Sequence, residues 1–253
     1  MKVYLSTWSL RRLLLQKQLR IQDMPVLARA LGFDGVEIED IWFPSSHRGV
    51  ARALNAESRR ARTPILLAVS NDFSVSSERS LRAQIRHTVK FFRLAAQVGS
   101  TTVRVLLGSK DSARRKIPQI VRAFHEILPV ARNLNLTLAI ENHDALSRNP
   151  DILNSVLMKI DSKDVGVCLD FGNLNSNTRY AAIEKLAPKA MMVHAKAYHF
   201  KPDGTEHSID YARCFSILRG NSFKGPVIAE YEGPGDQIIG SLKTLFLVRR
   251  FSS

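Results

Sequence analysis

Cysteine is almost missing from this chain of 253 residues: Cys168 and Cys214 are the only two, and they stand far apart. They build neither a disulfide framework nor a paired-thiolate metal motif, so both read as buried thiols in a reducing cytoplasm. Long apolar runs are missing too. Nothing approaches the ~20 residues of a membrane span, and no membrane partner is expected. The opening residues, MKVYLSTWSLRRLLL, lack the basic-then-apolar order and the small-residue cleavage site of a secretory signal. Arg11 and Arg12 give a mild likeness to an organelle transit peptide, but the stretch serves better as a first strand and helix. No Gly/Ser linker or low-complexity tract divides the chain, so a single domain is expected over residues 1–253.

Like charges are lacking in blocks but not in total. The net charge is +14, which raises the question of a polyanionic partner. Yet the basic residues, among them Arg20, Arg52, Arg59, Arg60, Arg62, Arg114, Arg115, Arg249 and Arg250, are spread over many segments. No run of about five or six occurs. The scatter argues against a dedicated nucleic-acid surface and leaves an anionic substrate as another reading of the charge.

What the chain does have is alternation. Short apolar runs at residues 3–7, 35–38, 65–70, 102–107, 137–141, 165–170, 191–194 and 226–230 read as eight strands. Amphipathic runs at 21–31, 81–98, 117–134, 152–160, 181–186, 211–218 and 238–248 read as helices. Gly32, Gly99 and Gly220 stand just past apolar helix ends as stop signals, and Asp210 is placed to cap the helix that follows it. Strands alternating with helices imply a parallel sheet. Eight such units in a chain near the usual ~250 residues predict an α/β fold, a closed (β/α)8 TIM barrel.

The last four of these strands end on Glu141, Asp170, His194 and Glu230. A buried carboxylate without a partner is strongly unfavourable, and a shared cation relieves it. Neighbouring strands of a parallel barrel bring such ends to one mouth. Three carboxylates and an imidazole, with no thiolate, suit one divalent metal ion (Mn, Mg, Co or Zn) and argue against a structural zinc site. Such an ion can hold neighbouring sugar oxygens and stabilise the enediolate left when a proton leaves the carbon beside a carbonyl. Glu141 and Glu230 are the natural proton carriers. The other strand ends present Glu37 with Glu39, and Glu232. Trp8, Glu39, Asn71, Arg104, His143, Asn173 and Lys196 are taken as substrate-binding candidates. Arg104 and Lys196 each need a counter-charge or an anionic ligand. Residues 199–209 are a candidate lid, and Gly233-Pro234-Gly235 a candidate phosphate loop.

With those residues in place, the stretches LSTWSL, LGFDGVEIED, LAIENH, LDFGN, VHAKA and IAEYEG resemble the xylose isomerase-like TIM-barrel superfamily, and within it the sugar phosphate isomerase/epimerase group. The resemblance implies a metal held by Glu141, Asp170, His194 and Glu230, with the two glutamates moving the proton. It implies an isomerase or epimerase of a small sugar, sugar phosphate or hydroxy-ketone, often a dimer or tetramer. A dehydratase of the inosose or 3-dehydroshikimate type is the nearest alternative. There are departures. Many members carry His where Asn173 stands, and ketose epimerases commonly have Arg shortly after the strand-seven His, where this chain offers Lys196. Endonuclease IV-like members need extra histidines for three metals. Asn71, Arg104 and Asn173 stand at comparable places, which argues against a nuclease. A non-catalytic binding protein would have no need of the intact ligand set.

Overall fold

Eight parallel strands close into a barrel in the computed structural model, which describes residues 1–44, 48–108 and 113–252. They are β1 (Val3–Ser6), β2 (Gly35–Glu39), β3 (Ile65–Ala68), β4 (Thr102–Val105), β5 (Thr137–Glu141), β6 (Val165–Asp170), β7 (Ala190–Ala197) and β8 (Val227–Tyr231). Each pairs with the next, and β8 returns to β1. The helices are α1 (Arg11–Leu15), α2 (Met24–Ala30), α3 (Arg48–Ala61), α4 (Glu78–Gln97), α5 (Ile117–Asn133), α6 (Pro150–Ile160), α7 (Arg179–Leu186), α8 (Tyr211–Gly220) and α9 (Gln237–Ser252).

Strands covered on both faces account for the near-continuous apolar runs: every residue of β2, β6 and β8 is buried. The outward faces meet the helices in one large core. The inward faces form a separate plug of Tyr4, Leu66, Ala139, Cys168, Met192 and Ile228. The Tyr4 ring lies over Gly35, where a Cβ would come within 2.4 Å of it. Because side chains on one strand face recur every second residue, the residues two further along share the plug's inward face. Five of the six, Ser6, Glu141, Asp170, His194 and Glu230, are buried and polar; the sixth, Ala68, is buried and apolar. The plug is the floor of the site, and the change from apolar to polar on one face fixes its depth.

The structure differs from the sequence reading in a few places. Helix α3 was not anticipated, because Val50, Ala51 and Leu54 are its only strongly buried apolar residues. Strand β7 runs past His194 to Ala197, so Lys196 belongs to the strand itself. Gly32 and Gly99 take left-handed backbone (φ 87° and 78°). After α8 the left-handed residue is Ser222, not Gly220. Asp210 caps α8 by accepting from the Arg213 backbone N–H at 3.0 Å. Among the described residues no helix is long and apolar enough to cross a membrane.

Candidate metal and substrate site

At the C-terminal mouth of the barrel, six carboxylates from β2, β5, β6 and β8 and their extensions meet three basic side chains from β4 and β7. His194 is the centre. Its Nε2 lies 3.2 Å from Glu37 Oε1 and 3.1 Å from Oε2, with both side chains fully inside the protein. That contact makes Nε2 the proton-bearing nitrogen and turns Nδ1 toward Glu230 Oε2 at 3.4 Å and Glu141 Oε1 at 3.8 Å. Burial disfavours the charged imidazole, but Cys168, Glu37 and Glu141 outweigh it and raise its pKa well above the ordinary value. A metal ion would replace the proton on Nδ1.

Lys196 is the second cation. Its Nζ lies 2.9 Å from Glu230 Oε1, 3.1 Å from Glu232 Oε1 and 3.2 Å from Asp170 Oδ2. Burial alone would lower its pKa; Asp170, Glu230 and Glu232 reverse this and raise it well above the usual lysine range. The amine stays charged, which removes the Schiff-base chemistry a desolvated lysine can perform. Arg104, the third cation, sets Nε 3.2 Å from Glu141 Oε2. Burial opposes its charge, and Glu141, Glu37 and Glu39 more than compensate.

The carboxylates are divided by these neighbours. Burial would raise Glu141, yet Arg104, His194, His143 and Lys196 hold it below the usual range. Burial likewise opposes the ionised form of Glu230, and Lys196 and His194 hold it well below. Both are therefore ionised at neutral pH and competent to accept a proton. Asp170 is pushed up to about 6 by burial, in spite of Lys196. Glu39 is pushed up to about 7, first by burial and then by Glu37. It receives the Thr7 hydroxyl and the Trp42 indole N–H, the latter at 2.7 Å.

A divalent ion fits this donor set on two structural grounds. Ligand atoms of Glu141, Asp170 and His194 lie within 4.8 Å of one another, as do those of Glu37, His194 and Glu230. Moreover His194 Nδ1 and Asp170 Oδ2 are buried and make no well-formed hydrogen bond among the described residues, only ion-pair contacts with Glu230 at 3.4 Å and Lys196 at 3.2 Å, so a cation could take over their pairing.

The candidates chosen from sequence fall into three groups. Trp8, Glu39, Arg104, Glu141, His143, Lys196 and Glu230 line one cavity of about 330 Å³, joined by Ile41, Ser70, Leu106 and Glu232. Asp170 and His194 are buried among the same groups, and Asn173 reaches them: its Nδ2 donates to Glu141 Oε1 at 3.1 Å and its Oδ1 accepts from Lys196 at 3.2 Å. Asn71 stands apart. Both ends of its amide are taken by the Leu106 backbone, at 2.6 and 2.9 Å, so it braces the end of β4. The segment at 199–209 is tied down by Glu206, which accepts from the backbone N–H groups of Tyr198, His199, Ser208 and Ile209. It is a clamped loop, and no residue of it lines the cavity. At the proposed phosphate loop, the Gly235 N–H donates to the Tyr231 hydroxyl and Asp236 caps the start of α9. A carboxylate thus occupies the place an anion would take.

Glu37 was visible on its strand but not singled out. The signal was its period-two pairing with Glu39, which puts both on the inward face. Glu232 follows Glu230 by the same rule.

A closed eight-stranded parallel barrel with an acidic, histidine-centred mouth defines a class before any comparison. The chain matches the family described as xylose isomerase-like TIM barrel over residues 25–247 and belongs to it. Among solved structures it is similar to a D-tagatose 3-epimerase-like protein, with TM-score 0.82, 18% identity and coverage of 99% of this chain and 97% of that one. It is also similar to the D-psicose 3-epimerase of Clostridium cellulolyticum H10 (TM-score 0.83, 12% identity, 100% of each chain). A third is the 3-keto-D-glucoside 4-epimerase of E. coli (TM-score 0.76, 15% identity, 99% of each chain). No curated protein sequence matches the chain.

Proposed function

We propose that this protein is a divalent-metal-dependent epimerase or isomerase of a small ketose or hydroxy-ketone, with Glu141 and Glu230 carrying the proton. One observation carries the reading: two buried, ionised carboxylates flank His194 Nδ1, which makes no well-formed hydrogen bond among the described residues, beside a cavity of monosaccharide size. The cavity, about 330 Å³, lies at the small end of ligand pockets. Several structurally similar proteins bear sugar-epimerase names, which agrees with it.

Glu141, Asp170, His194 and Glu230 would hold the ion. When bound, it supplies the positive charge that polarises the substrate carbonyl. The chain does the rest. Glu141 and Glu230 approach His194 from β5 and β8, so each can take or return a proton on the carbon beside the carbonyl. Asn173 and Arg104 fix the two oxygens of Glu141, and Lys196 and Ser6 fix those of Glu230. Trp8, with Ile41 and Leu106, makes the apolar corner of the cavity, a surface for the C–H face of a sugar, and the Trp42 ring 6.2 Å away backs it. His143, exposed on the rim, and Lys196 offer hydrogen-bond donors to substrate hydroxyls or an acidic substituent. Buried Cys168 and Cys214 suit a reducing cytoplasm.

The test is incubation of the Mn²⁺-loaded protein with D-tagatose, D-psicose, L-ribulose and D-fructose in D₂O. An epimer or isomer carrying solvent deuterium is expected, with turnover lost on chelation. A product that has lost water, seen as new ultraviolet absorbance, would replace this reading with the dehydratase.

Glu37 has a place in the same scheme. A carboxylate on the far nitrogen of a metal-binding histidine sets the tautomer and the basicity of the near one. Replacing Glu37 by Leu is expected to weaken Mn²⁺ or Co²⁺ affinity by about 10–100-fold and to alter the visible spectrum of bound Co²⁺. Glu37→Gln, whose carbonyl still accepts the Nε2 proton, should lose less. Equal affinity and an identical spectrum in Glu37→Leu would refute this role.

A further inference from the structure

The net charge of +14 plays no part in the chemistry above, and it is not evenly placed. Between β2 and β5, residues 40–136 hold seventeen Lys and Arg against six Asp and Glu, so +11 of the +14 belongs to this stretch. In the fold that stretch supplies three consecutive helices of the outer ring, with α4 packed between α3 and α5. On α4, Arg79, Arg82, Arg86, Lys90 and Arg93 are all exposed. Their spacing of three, four, four and three residues puts them on one helix face, a row about 21 Å long at 1.5 Å per residue. Only Arg82 of the five has a carboxylate partner among the described residues, in Glu78 and Glu126. Helix α3 adds Arg52 and Arg59, also exposed and unpaired there. Arg52 and Asn55 line a groove of about 530 Å³ with Gln97 of α4.

Cations scattered in sequence thus become one wall on the outside of the barrel, and none of them lines the cavity at the mouth. We propose that this wall, centred on α4, docks the phosphate backbone of a nucleic-acid duplex without reading its sequence. The chemistry selects that partner over others. Arginine dominates the wall, and its planar fork suits phosphate. A membrane-binding face would carry exposed apolar anchors. Among the described residues the exposed large hydrophobic ones are Met1, Leu15, Ile41, Met158, Ile239 and Phe246, none of them on α3, α4 or α5. A protein partner would bring an apolar or aromatic centre to the interface, which this wall also lacks. Single strands are held by stacking on aromatic rings; Phe91, Phe92 and Phe124 on these helices are all buried.

The proposal is independent of the chemistry at the mouth. It is tested by fluorescence anisotropy of a labelled 20-base-pair DNA duplex against the full-length protein at 50 and 200 mM salt. Micromolar binding is expected at the lower salt. With four to five phosphates contacted, log K should fall against log salt with a slope of about −4, a loss of roughly 10²–10³ over that range. The triple variant Arg86→Glu, Lys90→Glu, Arg93→Glu should bind at least ten-fold more weakly with a visibly shallower slope, and turn over sugar as the parent does. A control triple on the other walls, Lys159→Glu, Lys163→Glu, Lys224→Glu, makes the same change in net charge and should bind within about two-fold of the parent. Equal loss in both triples would show a general charge effect and overturn the proposal. So would tighter binding to the matching single strand or to vesicles of anionic phospholipid, or no duplex binding at 50 mM salt.

Discussion

Exchanging Glu141 for Gln is expected to lower turnover by about 10²–10⁴-fold, the usual contribution of a positioned proton carrier, and to reduce metal content as well. Gln keeps the shape of the side chain and still offers Asn173 an acceptor, so the barrel should remain folded. What disappears is the ionised oxygen that Arg104, His194, His143 and Lys196 hold below the carboxylate range. Glu230→Gln should be comparably damaging, because the same reasoning applies to its partners Lys196 and His194. Solvent exchange separates the two. If one carboxylate takes the proton and the other returns it, one variant should still wash substrate deuterium into water while producing no epimer. Activity near the parent's in both variants would remove these residues from the chemistry.

Lys196→Met is expected to be the most destabilising single change at the site. The ammonium is 3% exposed as a residue and stands against Asp170, Glu230 and Glu232. Breaking a buried ion pair from one side costs about 3–5 kcal/mol, because the partner charge stays behind. Urea unfolding of the metal-free protein should show a loss of that size. Added Mn²⁺ should recover part of it, since the ion brings positive charge to the same oxygens. The pH dependence has a definite sign. Asp170 already stands at about 6 in the fold, above its unfolded value, so the folded state binds the extra proton. Without Lys196 that folded value rises further, and the variant should recover stability as pH falls from neutral toward 5. A loss under about 1 kcal/mol would mean that water, not Lys196, compensates these carboxylates.

Much of the barrel was legible because its two periods are local. An apolar run that stops on Glu or Asp reveals a strand end from a handful of residues, and TLAIE and VGVCLD gave β5 and β6 to the residue. The four ligand candidates followed from chain order alone, since a parallel barrel gathers strand ends at one mouth. Relations across the lumen were not legible. Glu37 and His194 are 157 residues apart, and only the closed ring makes them neighbours. Asn71 looked like Asn173 from sequence; the difference is that β4 ends in a turn whose backbone takes up the Asn71 amide. Helix α3 was hidden by its composition, with short apolar residues between arginines. The same arginines looked dispersed because the intervals between them in sequence are helical turns and strand crossings, which the fold removes.

The charge lattice at the mouth has a consequence for how the chain comes off the ribosome. Its acids and bases are not made in matching order. Glu37 and Glu39 emerge well before Arg104, and Glu141 and Asp170 before His194 and Lys196. Glu230 and Glu232 come last, on and just after the strand that also joins β1 through Val227, Ile228 and Ala229. Until that strand is delivered, all three cations are already present, but Lys196 lacks two of its three carboxylates, Glu230 and Glu232, and the ring lacks its seam. Once it is delivered, the three internal cations meet all six carboxylates and the barrel can close with no ion from outside. Metal would then be acquired by a finished protein, and a shortage of it would leave stable, inactive molecules to be loaded later instead of chains lost to degradation.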